Sequence, residues 1–417
     1  VTDPTDETGS DVDSGDPDLE APETVDVEPT SSDFFARATG VGSSAKQALM
    51  VPALALVSAL FIGAIIIAVT DVDSLKLWGD DPGEAFSSTI RGIGSAYKAL
   101  FIGSLGSRRA ITETLFAATP LILAGLCVAV GFQAGLFNIG ANGQMHVGGM
   151  VGLWVGFSVS APAIIHIPLA IGGAVLGGAL WGGLSGLLKA KTGAHEVITT
   201  IMLNFIALFM VDYLLTESLF QAPGRNDPIS KRADPSAQFP TIFDNYRVHI
   251  GFLVALAAVW FIWWLMYRST IGYEFRAVGA NPDGGKYAGM NVAWVYVAVM
   301  AVSGGLAGVA GANQVLGLEP YRAFSGFAGD TGFDAIALAL LGRSHPVGVL
   351  FAGLLFGGMR AGGLQMQATA GIPVDLVLVL QALIIVFIAA PELVKAVYRI
   401  KTVDEGSKGA VSTGWGS

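Results

Sequence analysis

Three side-chain amides, Asn138, Asn142 and Gln144, fall close together in the decapeptide Gly135-Leu-Phe-Asn-Ile-Gly-Ala-Asn-Gly-Gln144. Amides present donors and acceptors without charge, and Phe137 adds an aromatic face. The set offers uncharged hydrogen-bonding groups beside an apolar surface. A second polar set, Glu196, Thr200 and Asn204, recurs every fourth residue and so shares one face of a helix. Two uses are open to such a stripe: hydrogen bonds between helices, or the lining of a pathway. Asp334 is the one charged residue of the apolar stretch 331–342. Nothing here resembles a catalytic centre. The single cysteine, Cys127, excludes a disulfide or a Cys-based metal site within one chain, and the five histidines (146, 166, 195, 249, 345) form no helical pair at ligand spacing. The stretch Gly279–Tyr287 comes near a phosphate-binding loop. It fails because Gly285 intervenes before Lys286 and Tyr287 follows it, so no nucleotide site of that kind is expected.

The elements that must position these groups are membrane helices. Hydrophobic residues make up 53% of the chain and charged residues only 13%, with a mean hydropathy of +0.60, far from the roughly 25% charge of a soluble domain. Apolar windows able to cross about 30 Å of hydrocarbon occur near 48–69, 114–134, 143–162, 164–188, 196–216, 249–267, 292–316, 331–342, 346–363 and 374–394. The reading is an all-α polytopic membrane protein of about ten transmembrane helices, the eighth short enough to be a half-helix. The decapeptide 135–144 lies between two of these windows. Its glycines and amides cannot continue a lipid-facing helix, because backbone groups freed in hydrocarbon cost several kcal/mol each. Broken backbone at that place marks either a transport pathway or a Gly-rich surface turn. The stretch 332–346, a short helix entered at Asp334 and stopped by a polar turn, mirrors it and suggests a weak internal two-fold repeat.

Charge sorts the remaining segments. Residues 1–33 hold twelve Asp or Glu and no Lys or Arg, so the net charge of −10 belongs to the tail, and the rest has 21 acidic and 23 basic residues. A tail of that composition has no core to bury, so 1–45 reads as an acidic, disordered cytoplasmic segment, 46–400 as the transmembrane domain and 401–417 as a second cytoplasmic tail. The short connections with Lys189, Lys191, Arg268, Arg276, Lys286, Lys395, Arg399 and Lys401 fall on one side when both termini are cytoplasmic. The segments 70–113 and 217–248 are then external, and Ser88–Phe101 in the first has the mixed polarity of an interfacial helix.

Glycine spacing carries packing information. The fourth window has Gly173/Gly177 and Gly178/Gly182 and the seventh has Gly304/Gly308, spacings that let helix backbones approach closely. The connection 272–291 is expected to hold a short cytoplasmic helix set off from the spans. Asn281 is placed as its N-cap, Pro282 at its first position, Asp283 in its first turn and Gly289 as its left-handed close. Gly284 and Gly285 weaken such a helix, so it needs something to dock against.

Four stretches in order carry a resemblance: Phe-Asn-Ile-Gly-Ala-Asn-Gly-Gln (137–144), Glu-Val-Ile-Thr-Thr-Ile-Met-Leu-Asn (196–204), Arg-Ala-Val-Gly-Ala-Asn-Pro (276–282) and Gly-Phe-Asp-Ala-Ile-Ala-Leu-Ala-Leu-Leu-Gly (332–342). Together they resemble the permease subunits of bacterial ABC importers for nucleosides and simple sugars, a family related to the ribose and branched-chain amino acid permeases. The likeness covers about 50–400. Asn142 stands where the nucleoside branch usually has Glu, and Gly284-Gly285 stand where small helix-forming residues are usual. The resemblance implies a multi-pass protein of the bacterial inner membrane, paired with a second and non-identical permease. It is fed by an external binding lipoprotein and driven by cytoplasmic ATPases, which bind the ATP, so this chain is not an enzyme and takes no cofactor or nucleic acid. For a nucleoside or sugar, one aromatic ring and the polar residues are expected to line the substrate path: Phe137, Asn138, Asn142, Gln144, Glu196, Thr200, Asn204 and Asp334. Contact with the ATPase is implied for Arg276, Ala277, Gly279, Asn281, Pro282, Asp283 and Gly289. The rival reading from the residues is an ion-coupled secondary transporter or a passive channel for a small polar solute. The first of these requires a carboxylate deep in the spans.

Overall fold

In the computed structural model each of the ten apolar windows contains a helix. The structure describes residues 43–77, 79, 81–373, 375–389 and 398. The expectations for most of the 1–45 tail, for 401–417 and for the end of the last window lie outside these residues. Two units divide the chain: Val1–Met50, whose described part is the opening turns of the first helix, and Val51–Ser417.

The helices are α1 (Ser43–Thr70), α2 (Val72–Leu77), α3 (Pro82–Leu105), α4 (Arg108–Gln133), α5 (Ala141–Ser158), α6 (Ala163–Thr192), α7 (Glu196–Thr216), α8 (Gly251–Arg268), α9 (Thr270–Ala280), α10 (Pro282–Tyr287), α11 (Val292–Leu316), α12 (Thr331–Leu341), α13 (Pro346–Ala370) and α14 (Asp375–Ala389). Seven of them, α1, α4, α6, α7, α8, α11 and α13, are long and apolar enough to cross a membrane. Helix α5 is 18 residues long, but Asn142, Gln144 and His146 make its first turns polar. Helices α12 and α14 are apolar and shorter.

Glycine seams hold the centre. Helices α5, α6 and α11 pack mutually, and α6 and α11 approach until backbone meets backbone. A Cβ on Gly178 would strike the carbonyl of Gly304, one on Gly182 that of Met300, and one on Gly308 that of Ala174. Close approach gains dispersion contact along the whole crossing, which is how helices associate where lipid removes the hydrophobic drive. The spacing seen in the sequence thus serves packing. Helix α4 is buried along most of its length and forms the core with α11 and α13.

Two features add to the sequence reading. The segment 82–105 is one 24-residue helix, capped by the Asp81 carboxylate, which accepts from the Gly83 and Glu84 amides at 3.0 and 3.1 Å. It packs along α13, where a Cβ on Gly362 would meet the Leu100 carbonyl. The segments 217–248 and 317–330 are hydrogen-bonded to each other: Ser230 and Ala233 amides donate to the carbonyls of Ala323 and Tyr321 at 2.9 and 3.0 Å. This clamp fixes the stretch that leads from α11 into the short α12.

Candidate functional site

Helix α4 stops because Gly135 turns left-handed (φ 68°), and a Cβ there would lie 2.6 Å from the Gly279 carbonyl oxygen. The chain then runs irregularly to Gly140, and α5 begins at Ala141 without a side-chain cap. Free backbone in such a place needs partners, and the predicted amides supply them. Asn138 is buried. Its amide nitrogen donates to Gln144 Oε1 at 3.0 Å and to the Cys127 sulfur at 3.3 Å. Its oxygen accepts from Gln144 Nε2 at 3.1 Å and the Gly140 amide at 3.0 Å. Asn204 reaches across from α7, accepting from the Gly143 amide at 2.7 Å and donating to the Ile139 carbonyl at 2.9 Å. The hydrogen-bonding capacity of Asn138 is spent on the fold, and Asn204 bolts the broken segment to α7.

The stripe Glu196, Thr200, Asn204 is buried as one face against that segment, with Gly140 beside the Thr200 side chain. Glu196 pairs with Lys189 at 2.7 Å, and the ammonium also lies 5.3 Å from the Tyr296 ring centre. Thr200 donates back to the Glu196 carbonyl at 2.7 Å. Phe137 points outward, more than half exposed, against the Phe132 ring at 4.9 Å. Asn142 differs from the other amides. Its side-chain oxygen is buried and finds no partner among the described residues, and its backbone abuts Gly332 in the first turn of α12. His146, one turn on, stacks with Phe327 at 4.9 Å, and its Nε2 is likewise unpartnered among the described residues.

Asp334 sits away from the amides. It forms an ion pair with Arg360 of α13. Arg360 lies fourteen residues past Pro346, which is about 21 Å along the helix. The pair therefore lies near the middle of α13. An ion-coupled carrier wants a carboxylate whose charge is free to change, and this one has a guanidinium as its partner. Sequence reasoning missed Arg360, Gln314 and Gln381. All three border a cavity of about 540 Å³ beside Asp334. No local spacing signals them, since they come from three helices that meet only in the fold.

The expected short helix is present and docked. Asn281 caps α10, its side-chain oxygen accepting from the Gly284 amide at 2.9 Å, and Pro282 opens the helix with Asp283 in its first turn. The helix closes at Tyr287, two residues earlier than Gly289, which takes the left-handed conformation at φ 84°. Before it, 270–280 forms α9, a second helix the sequence reading treated as connection, capped by Ser269. Helix α10 is not set off alone. Gly285 lies against Val278, where a Cβ would come 2.9 Å from a methyl, and α9 buries Phe275 and Val278. Gly285 thus serves the close seating of α10 on α9, while Gly284 is exposed. Gly279, whose Cβ would meet the Ala134 backbone at 2.5 Å, seats α9 on the end of α4. Arg276 stacks over Tyr267 at 5.2 Å, Ala277 accepts the Asn281 amide at 3.1 Å, and Tyr287 stands 94% exposed. The turn after α12 joins the same region: the Gln133 side chain donates to the Ser344 carbonyl, and Tyr267 packs on His345 at 5.3 Å.

Comparison with known proteins places this geometry. The chain is similar to a guanosine ABC transporter permease, NupP of Bacillus subtilis, with 39% identity over 82% of this chain and 93% of the relative. A glucose ABC transporter permease, TsgB13 of Haloferax volcanii, is 35% identical over 84% of this chain and 89% of its own length. A nucleoside ABC transporter permease, NupB of Lactococcus lactis, is 35% identical over 82% and 90%. No solved structure matches. The model of the branched-chain amino acid transport system / permease component family matches residues 110–389, and the chain belongs to that family.

Proposed function

We propose that this multi-pass permease imports nucleosides, or a closely related sugar-containing solute, as the membrane subunit of an ATP-driven importer. Membership of an ABC permease family implies ATPase and binding-protein partners, and transport rather than catalysis is the chain's work. Two of the relatives named above carry nucleoside or guanosine in their names, which favours a nucleoside. The glucose permease among them keeps the sugar moiety in view. The second permease is a non-identical chain and the binding protein an external lipoprotein. Both termini face the cytoplasm, on the side of α9 and α10.

The observation that carries the mechanism is the backbone contact of Gly279 with Ala134 and Gly135. An ATPase docked on the exposed face of α10, at Tyr287, Lys286 and Asp283, moves α9 with it. Gly279 passes that movement to the end of α4 and the broken segment. Asn204 passes it on to α7 through the Gly143 amide. Stacked, close-packed glycines transmit a displacement because nothing compressible lies between the backbones. Asn138, Gln144 and Thr200 keep the broken segment rigid, and Asn142 and Asp334 are left to meet solute.

The test is the variant Asn281→Ala with Gly289→Pro. The first change removes a cap worth about 1 kcal/mol, and the second forbids the positive φ at which the loop turns. In the assembled importer this protein should insert and assemble normally while nucleoside uptake collapses. Wild-type uptake would show that α10 is a surface turn with no part in coupling.

A further inference from the structure

The cavity beside Asp334 lies between α11, α12, α13 and α14, with a volume of about 540 Å³, inside the roughly 300–1,000 Å³ usual for small-molecule sites. Its lining mixes polar groups of both kinds: the Asp334–Arg360 pair, Gln314, Gln381, Thr331 and the exposed Asp330. Several are unspent. The Gln314 amide has no partner among the described residues, and Gln381 uses only its nitrogen, in a bond of 3.4 Å to the Phe356 carbonyl. A smaller cavity of about 180 Å³ adjoins it, sharing Gln314 and Arg360 and bordered also by Phe116, His249 and Asn313. Asn313 is 3% exposed, and its side-chain oxygen is without a partner among the described residues. Buried polar atoms left unpaired cost about 1–3 kcal/mol each, so a fold keeps them where something else satisfies them. Here Asn313 Oδ1 is such an atom, at the wall of the smaller space.

The chemistry narrows the occupant. Asp334 and Arg360 neutralise one another and Asp330 adds a negative charge to the lining, so an anionic solute is disfavoured. Paired, they still present carboxylate lone pairs and guanidinium N–H groups to the cavity, and the amides present both donors and acceptors. A neutral solute with adjacent hydroxyls and ring nitrogens matches that array. Resting on the importer reading above, we propose that these two neighbouring cavities, which share Gln314 and Arg360, are the point at which this chain conducts its solute. Arg360, Asp334, Gln314 and Gln381 then take the hydroxyls and ring nitrogens of a neutral nucleoside-like molecule, and Asn313 receives it at the next step. The decapeptide 135–144 then acts chiefly as the mechanical joint beside the path, with Asn142 its one amide left for solute, and the lining of the two cavities comes from α11 to α14 and the loop before α12.

Thiol labelling in the complete importer tests this, because the native Cys127 is fully buried. Ala382→Cys places a small thiol on the cavity wall, and Phe209→Cys places one on the exposed face of α7. A charged methanethiosulfonate reagent attacks thiolates in water and spares thiols in lipid. Ala382→Cys should label and lose most of its uptake relative to the same unlabelled variant, while Phe209→Cys stays unlabelled. Gln314→Leu should separately lower nucleoside uptake about fivefold, the factor of one lost hydrogen bond, with binding-protein-stimulated ATP hydrolysis retained. No labelling at Ala382→Cys, labelling that leaves uptake intact, or full uptake by Gln314→Leu would each overturn the proposal. Failure of the importer reading registers differently, as absence of nucleoside uptake by the unmodified complex.

Discussion

Among single residues, the three amides of the decapeptide divide by what they touch. Asn138 and Gln144 exchange two hydrogen bonds and close the backbone of the break. Replacing Asn138 by Leu strands the Gly140 amide and the Gln144 side-chain nitrogen in a buried place, at about 1–3 kcal/mol for each unsatisfied group. Asn138→Leu should therefore lower the thermal midpoint of the purified protein and its yield, a loss visible by light-scattering or fluorescence melting. Asn142→Leu removes an oxygen that no described residue satisfies. It should melt at or above the wild-type temperature while uptake drops severalfold. Equal melting of the two variants would remove the distinction between positioning and solute-facing amides. The sequence brought both to notice for the same reason, their polarity amid apolar neighbours, and only the partners separate them. Arg360 shows the opposite case. It is a lone charge in a long helix, and its partner Asp334 lies in a different helix, so neither period nor spacing reveals the pair.

At the scale of elements, every apolar window is legible because burial and lipid both select the same long apolar runs. The glycine repeats of α6 and α11 are legible for a related reason: only small residues at a spacing of four let two backbones touch, as Gly178, Gly304 and Gly308 do. Less legible were α3 and α9. Their residues alternate polar and apolar without a span's length of hydrophobicity, and their helicity depends on surfaces provided by α13 and α4. Two predictions belong here. Gly304→Leu forces a side chain into the Gly178 backbone, where overpacking costs about 1–3 kcal/mol or more. The assembled complex should then be recovered in much lower amount. Gly279→Val pushes α9 off the end of α4, where there is no room for a side chain. The assembled importer should then still hydrolyse ATP while nucleoside uptake falls at least severalfold. Parallel loss of hydrolysis and uptake would mean that α9 supports ATPase docking itself and does not transmit its motion.

The whole molecule is a permease subunit, built to conduct and to be driven by partners outside itself. Its sequence has no phosphate-binding loop of the Walker type, and its exposed helical pair α9–α10 seats on the broken end of α4. The purified chain alone is accordingly expected to neither bind nor hydrolyse ATP, measured by nucleotide binding and phosphate release. Its family gives the partners that supply the energy. The carboxylate of Asp334 is paired with Arg360. The most direct test is uptake of a radiolabelled nucleoside into proteoliposomes holding the complete importer, with loaded binding protein outside and ATP within. The account predicts uptake that requires both ATP and the binding protein and persists when proton and sodium gradients are collapsed. Uptake by this chain alone down an ion gradient, without ATP, would contradict it.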